Sequence, residues 1–172
     1  MALSNNDILR RIRYALDYTD DKVLSLFNLA EYPVSREQLA SWLNKEEEPG
    51  YQPCADVELA AFLNGLICER RGRREGAQPA PEVRLNNNII FRKLRIALNL
   101  QDDDILAMLA QAGLPIGKAE LGALFRKPEH KHYRQCKDQI LRNFLRGMQL
   151  KYRAASTRNK VPPKINPYAP KT

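Results

Sequence analysis

The 172-residue sequence has little of what most catalytic and metal-binding sites are built from. It contains two histidines and three cysteines, and no Cys-X-X-Cys spacing is present. These counts argue against a disulfide framework and against a structural zinc site. The chain also lacks a phosphate-binding glycine loop, a dinucleotide fingerprint, an HEXXH helix and a nucleophile elbow. We therefore expect no enzymatic activity, no cofactor and no bound metal.

Long apolar runs are also missing from the sequence. No run approaches the roughly 20 residues that a transmembrane helix needs, and the N-terminus MALSNNDILRR has no apolar stretch of signal-peptide length. We therefore expect a cytoplasmic protein with no membrane contact.

Strand-like alternation is absent from the sequence as well. The eleven prolines lie mainly in turns, a linker and the C-terminal tail, outside the segments with helical periodicity.

The sequence does contain an internal repeat. Residues 85–148 align with residues 3–66 at an offset of 82 without a gap, and 23 of the 64 positions are identical. Each copy predicts four helices, beginning near Ser4, Thr19, Ser35 and Cys54 in the first and near Leu85, Asp102, Gly117 and Tyr133 in the second. Ser35 and Gln38 form a predicted capping box.

These patterns predict an all-α fold with two homologous four-helix modules in tandem, related by a pseudo-two-fold axis. The modules span residues 1–68 and 85–150, a Gly- and Pro-containing linker spans 69–84, and an extended, flexible tail spans 151–172. A unit of about 65 residues is near the lower limit for burying a sufficient core alone. We therefore expect the two modules to pack on each other.

The net charge of +8 is unevenly distributed. The first module has six Lys or Arg residues against eleven Asp or Glu, whereas the second has eleven against six. The linker has five against three, and the tail has six basic residues and no acid. This asymmetry favours a polyanionic partner for the C-terminal half. A moderately basic protein without such a partner is the alternative.

The main candidate for binding chemistry is the basic loop, residues 125–137, with the sequence FRKPEHKHYRQCK. Long cationic side chains can neutralise phosphates, and an aromatic ring can stack on an unpaired base. A solvated loop without a ligand is the alternative, and the surrounding positive charge argues against a metal on His130, His132 and Cys136. The predicted nucleic-acid-binding residues are Arg92, Lys93, Lys118, Arg126, Lys127, Lys131, His132, Tyr133, Arg134 and Lys137.

The second and third helices of each module are helix-turn-helix-like. In the second copy, Lys118, Arg126 and Lys127 are the candidates for contact with a DNA groove. The pattern departs from the usual one because prolines, Pro33 and Pro115, stand in the turns. A generic helical packing unit is the alternative interpretation.

Several matched positions suggest structural roles. Arg13 and Asp56 match Arg95 and Asp138, which predicts an Arg–Asp clamp inside each module. Gly65 and its match Gly147 are expected to allow close helix approach, not to bind phosphate. The matched Cys54 and Cys136 are expected to be buried thiols.

The segments SNNDILRRIRYAL, LNNNIIFRKLRIALNL and FRKPEHKHYRQCKDQILRNFLRGM resemble the YehS-like family of small bacterial proteins. The resemblance covers roughly residues 1–150 and leaves the tail outside. It implies a cytoplasmic bacterial protein with a tandemly repeated helical domain of unknown function. It brings no activity, substrate or catalytic residue.

Charge and pattern together predict a non-enzymatic nucleic-acid-binding protein that uses the basic second module and the tail. RNA or single-stranded nucleic acid is favoured over duplex DNA, because the helix-turn-helix pattern is imperfect and the tail resembles arms that order on binding. The alternative is a protein-interaction adaptor or regulator that uses the acidic first module. Homodimerisation through the first module is a third hypothesis.

Overall fold

The computed structural model describes residues 2–153 and residue 155, in which eight α-helices are followed by a π-helical turn, and no strand is present. The helices of the first repeat are α1 (Asn5–Ala15), α2 (Asp20–Leu29), α3 (Arg36–Leu43) and α4 (Asp56–Arg71). Those of the second are α5 (Asn87–Leu98), α6 (Asp102–Gln111), α7 (Lys118–Leu124) and α8 (Asp138–Met148), with η1 (Gln149–Arg153) after α8. The predicted all-α fold with two helical modules is confirmed.

Side-chain caps begin the first three helices. Ser4, Thr19 and Ser35 each accept a hydrogen bond from the backbone N–H three residues further on, which satisfies a donor that the helix itself leaves unpaired. The predicted capping box of Ser35 and Gln38 is present. In the second repeat, the side chain of Asn86 caps α5 in the same way, at 2.9 Å from the N–H of Ile89.

The fourth helix of each repeat begins later than predicted. α4 starts at Asp56 instead of Cys54, and α8 starts at Asp138 instead of Tyr133. The reason is that buried amides of α1 and α5 hold the preceding backbone outside the helix. The N–H of Cys54 donates to Asn6 Oδ1 at 3.0 Å, and the N–H of Cys136 makes the same bond to Asn88 at 2.8 Å.

The two repeats pack on each other with pseudo-two-fold symmetry, as expected from their small size. α5 lies against α4, and α1 lies in the same way against α8 and η1, which together correspond to α4 in length and position. One apolar core runs through both repeats and includes Phe27, Phe62, Phe91 and Phe144, all fully buried. α4 continues to Arg71, so the first three residues of the predicted linker are helical.

Two aspartates connect the repeats reciprocally. Asp56 accepts from the side chain of Asn5 in its own repeat at 2.7 Å and from the backbone N–H of Leu85 in the other at 2.8 Å. Asp138 accepts from Asn87 at 2.7 Å and from the N–H of Leu3 at 3.1 Å. Each repeat therefore holds the start of the other.

The predicted Arg–Asp clamps are wrong because these aspartates are already engaged. Arg13 pairs instead with Asp20 at 2.9 Å, and Arg95 pairs with Asp102 at 2.8 Å. Both ion pairs join the first helix of a repeat to the start of its second helix. An acidic first turn suits this position, because the N-terminus of a helix carries partial positive charge.

The matched glycines allow close helix approach, as predicted. A Cβ atom on Gly65 of α4 would lie 1.8 Å from the carbonyl oxygen of Leu26 in α2. A Cβ atom on Gly147 of α8 would lie 2.6 Å from the carbonyl oxygen of Met108 in α6. Both distances are far below van der Waals contact, so these two crossings require glycine.

The start of the predicted tail belongs to the folded part. In η1, the Arg153 guanidinium stacks 3.8 Å from the centre of the Tyr14 ring, and it donates to the carbonyl oxygen of Tyr14 at 2.9 Å. The rest of the predicted flexible tail lies outside the described residues, apart from residue 155. Over the described part of the chain, no helix has the length and apolar character required to cross a membrane.

Candidate nucleic-acid interface

The basic loop and its neighbours enclose one groove. It lies between α7, the loop and the first turn of α8, and its volume is about 1040 Å³. Ligand pockets commonly hold about 300–1,000 Å³, so this groove can hold more than a small metabolite. We call it the basic groove. Seven of the ten predicted binding residues line it, namely Lys118, Arg126, Lys131, His132, Tyr133, Arg134 and Lys137.

A single buried side chain holds both ends of the basic loop. Asn88 of α5 is 4% exposed, and its amide nitrogen donates to the carbonyl oxygens of Leu124 at 3.0 Å and Arg134 at 2.8 Å. Its amide oxygen accepts from the N–H of Cys136 at 2.8 Å. The amide therefore holds the end of α7 next to the C-terminal part of the basic loop. Asn88 is thus a positioning residue for the groove.

Backbone hydrogen bonds complete the shape of the loop. Two turns are closed by the N–H of His130 donating to Lys127 and the N–H of Tyr133 donating to His130, both at 2.9 Å. The N–H of Arg134 donates to the carbonyl oxygen of Ala123 in α7 at 3.0 Å. These contacts use main-chain atoms and leave the cationic side chains exposed, although Arg126 Nη1 also lies 3.2 Å from His130 Nε2.

The cations that line the basic groove are not neutralised by ion pairs within the described residues. Five of them line it, and the lining includes the carboxylate of Glu120. Within residues 2–153 none of the five forms an ion pair, whereas Arg13, Arg36 and Arg95 outside the groove each pair with an aspartate. Unpaired cations on one concave surface produce a local positive potential that attracts anions. The five cations are Lys118, Arg126, Lys131, Arg134 and Lys137.

Part of the lining of the groove is apolar. Ile116, Ala123 and Ile140 line it together with the half-buried Tyr133. The groove therefore combines apolar surface with positive charge. A nucleotide combines the matching chemical groups, since it carries a flat base and a charged phosphate.

Three of the predicted site residues lie outside the basic groove. Lys127 is exposed and lines a smaller adjoining pocket with Phe125 and His130. The guanidinium of Arg92 donates to the carbonyl oxygen of Phe125 at 3.3 Å, so it stabilises the end of α7.

The assignment of Lys93 to a binding surface is corrected by its surroundings. Its side chain is 13% exposed and pairs with Glu82 at 3.0 Å. Its ammonium also donates to Asn64 Oδ1 at 2.5 Å. The charge is therefore satisfied between the repeats, where α5 packs on α4.

The thiol of Cys136 is buried beneath the loop. Burial, together with the nearby charge of Asp138, raises the pKa of the Cys136 thiol to about 12. The matched Cys54 thiol is also buried, and its pKa is raised to about 12 chiefly by burial. The prediction of two buried thiols is confirmed. No cluster of three or more metal-binding side chains is present in the part of the chain that the structure describes.

Comparison with known proteins decides the family. Residues 5–72 and 87–154 each match the family described as "Protein of unknown function (DUF1456)". The chain is 48% identical over 146 residues to the Escherichia coli (strain K12) protein named "Uncharacterized protein YehS", which covers 84% of this chain and 93% of that protein. The chain belongs to this family. No solved structure matches it.

The tandem match agrees with the two structural repeats. The first matched segment begins with α1 and ends one residue after α4. The second begins with α5 and ends one residue after η1. The family resemblance predicted from the sequence is therefore confirmed, together with the duplicated helical fold. The family description assigns no function to either repeat.

The first repeat has a different surface at the position of the basic loop. Residues 44–53 contain Glu46, Glu47 and Glu48, and all three are exposed. A pocket of about 600 Å³ beside this loop includes Tyr51, the counterpart of Tyr133, but its lining mixes acids and bases. Two repeats with one internal framework thus present opposite charge at equivalent places.

The buried Asn6 and Asn88 were not predicted as site residues from the sequence. Asn6 makes the same three bonds in the first repeat that Asn88 makes in the second, to Trp42, Gln52 and Cys54. The available signal was the Asn-Asn pair that appears at the same place in both copies. Two matched polar residues at the start of a helix are not needed for a single N-cap.

Proposed function

We propose that this protein binds nucleic acid through the basic groove, and that RNA or single-stranded nucleic acid is preferred over duplex DNA. The observation that carries the proposal is the set of five cations that line one partly apolar groove and form no ion pair within residues 2–153. Lys and Arg side chains that neutralise phosphates release bound counterions, which makes such binding favourable and strongly dependent on salt. No catalytic role is assigned to any residue.

The shape of α7 supports single strands over a duplex. In a helix-turn-helix protein, the second helix enters the major groove and reads base edges with its N-terminal residues. α7 has seven residues, and its exposed first turn carries Glu120 beside Lys118. A helix this short offers few side chains to a major groove.

The proposal can be tested by removing charge from the groove. The variant Arg126→Gln, Lys131→Gln, Arg134→Gln should lose most of its affinity for a single-stranded RNA or DNA oligonucleotide. For single strands, the slope of log K against log salt should fall in magnitude by about 0.7 for each phosphate contact removed. Fluorescence anisotropy over a salt series measures both quantities.

A matched control removes the same charge elsewhere. Arg71, Arg74 and Arg84 are exposed, do not line the groove and form no ion pair in the described part of the chain. Their triple change to Gln should leave the salt slope nearly unchanged. Equal loss in the two triple variants would indicate general charge attraction, and no salt-dependent binding by the unaltered protein would refute the proposal.

The acidic loop of the first repeat favours a second candidate function, that of a protein-interaction adaptor. Glu46, Glu47 and Glu48 are exposed and form no ion pair within residues 2–153, which makes them available to a basic partner. Pull-down before and after nuclease treatment separates the two functions. A partner that is retained after nuclease, and lost when these glutamates are changed to Gln, supports the adaptor.

A further inference from the structure

We infer that Tyr133 is a base-stacking residue and that the apolar part of the basic groove receives an unpaired base. This inference rests on the proposed function and specifies the part of the ligand that the groove recognises. The phosphates would contact the cations that line the groove, while the base would lie against apolar surface and the tyrosine ring. A groove used in this way selects single strands, because a paired base is covered by its neighbours in the stack.

The ring of Tyr133 is the first reason. Within residues 2–153, every phenylalanine and tryptophan and all tyrosines other than Tyr51 and Tyr133 contact another ring or a cation. No hydrogen bond to the Tyr133 hydroxyl is present in that range either. The half-buried Tyr133 therefore has no aromatic or cationic partner among residues 2–153, and its backbone N–H is fixed by the bond to His130.

The surroundings of the ring are the second reason. Ile116 and Ile140 line the same groove as Tyr133, and neither is fully buried. These side chains offer apolar surface beside the ring. Lys131 and Arg134 flank Tyr133 closely in sequence and line the groove with it. A base against the ring would therefore have cations within reach of its own phosphate.

The third reason is the comparison with Tyr51, the counterpart of Tyr133 in the first repeat. Tyr51 is also half-buried and without a ring or cation contact, and its N–H donates to the equivalent backbone carbonyl, that of Glu48, at 3.3 Å. The lining of its pocket, however, combines three carboxylates with four cations, so the opposite charges largely cancel. Tyr51 therefore has the ring but lacks the excess of cations that surrounds Tyr133.

The experiment compares ligands and variants in parallel. Three probes of equal length are used: a single-stranded homopyrimidine oligonucleotide, the same backbone with abasic sites, and a duplex. The unaltered protein should bind the first probe about 5- to 100-fold more tightly than the abasic one, the range expected for loss of stacking on one base. This comparison needs no variant and is unaffected by any folding defect.

The variants then assign the effect to one residue. Tyr133→Ala should weaken binding to the base-containing probe by a similar factor, while its salt slope stays unchanged because the ring carries no charge. Tyr133→Phe should bind within about twofold of the unaltered protein, because stacking needs the ring and not the hydroxyl. Tyr51→Ala is the matched control and should have no effect.

The outcomes separate this inference from the proposed function. Salt-dependent binding that is equal for abasic and base-containing probes, or that is equally weakened in Tyr51→Ala, overturns base stacking at Tyr133 and leaves phosphate binding by the groove intact. Stronger binding to the duplex also overturns it. Absence of salt-dependent binding to all three probes overturns the inference and the proposed function together.

Discussion

Asn88 shows how much of the candidate interface depends on one residue that cannot contact a ligand. Its side chain is buried, and its three hydrogen bonds join α5 to the end of α7 and to the C-terminal part of the basic loop. The cations that line the groove are exposed. The position of their backbone depends on the hydrogen bonds that this amide makes.

Replacing Asn88 with Ala should destabilise the fold and loosen the basic loop. The change leaves the buried N–H of Cys136 without its acceptor, and an unpaired buried polar group costs about 1–3 kcal/mol. Urea unfolding measures the loss of free energy, and hydrogen exchange at Cys136 reports the loop. Asn143→Ala is the control, because Asn143 is only half-buried and its side-chain hydrogen bond in the described residues, to the carbonyl oxygen of Gln139, stays within α8. Equal stability of the two variants would contradict the role assigned to Asn88.

At the scale of elements, close helix crossings set the geometry of each repeat. α4 crosses α2 at Gly65, and α8 crosses α6 at Gly147. Since α8 also begins at the end of the basic loop, the second crossing contributes to the position of the groove. The two glycines are tolerated inside helices, where glycine is otherwise unfavourable by about 1 kcal/mol relative to alanine.

Alanine at these crossings should destabilise the protein, and the order of the effects can be predicted. Overpacking commonly costs about 1–3 kcal/mol and occasionally more. Gly65→Ala should be the more severe, because its Cβ atom would meet backbone at 1.8 Å against 2.6 Å for Gly147→Ala.

The control for these two variants is Gly122→Ala in α7. Its Cβ atom would have nothing within 4 Å. It should therefore stabilise the fold by up to about 1 kcal/mol through helix propensity alone. Free energies of unfolding from denaturant titrations of all three variants test the order. Stabilisation of the fold by Gly65→Ala would show that α2 and α4 do not cross at this distance.

At the scale of the whole molecule, the repeats share a framework and differ in charge. The buried asparagines, the glycine crossings and the paired aspartates occur in both halves. The exposed loop between the third and fourth helices carries glutamates in one half and cations in the other. Duplication therefore supplied two equivalent positions, and their side chains give these positions opposite charge.

The contact between the repeats should depend on pH through Asp138. Hydrogen bonds from the Asn87 side chain and then from the Leu3 backbone hold the pKa of the Asp138 carboxyl below its usual value. An unfolded aspartate has a pKa of about 3.9. The stabilisation is therefore complete above that value and is lost as the pH falls through the lower, folded pKa.

Asp138→Asn should remove this contribution. Urea unfolding should show the variant less stable than the unaltered protein at pH 7, and the gap should narrow as the pH is lowered from about 5 toward about 2.5. Asp103→Asn is the control, because Asp103 is exposed and forms no ion pair or side-chain hydrogen bond in the described residues. A gap that is constant over this pH range would show that the Asp138 charge does not link the repeats.

Much of this protein was determined by its sequence alone. Helical spacing of apolar residues, the caps at Ser4, Thr19 and Ser35, and the offset of 82 predicted two four-helix modules, because these signals are local or repeated. The same holds for the charge contrast and for the cations of the basic groove, since the seven predicted residues that line it lie close together in the chain or at the helix that precedes the loop.

Only the tertiary structure decided which partners the polar residues have. Arg13 could be matched in sequence with either Asp20 or Asp56, and Lys93 looked like any other surface cation. Their ion pairs depend on how α1 and α5 face the neighbouring helices, and on how the repeats cross. The same is true of Asn88 and Asp138, whose partners lie up to 135 residues away. Periodicity records which face of a helix is buried, but it carries no information on which distant backbone group will meet a given side chain.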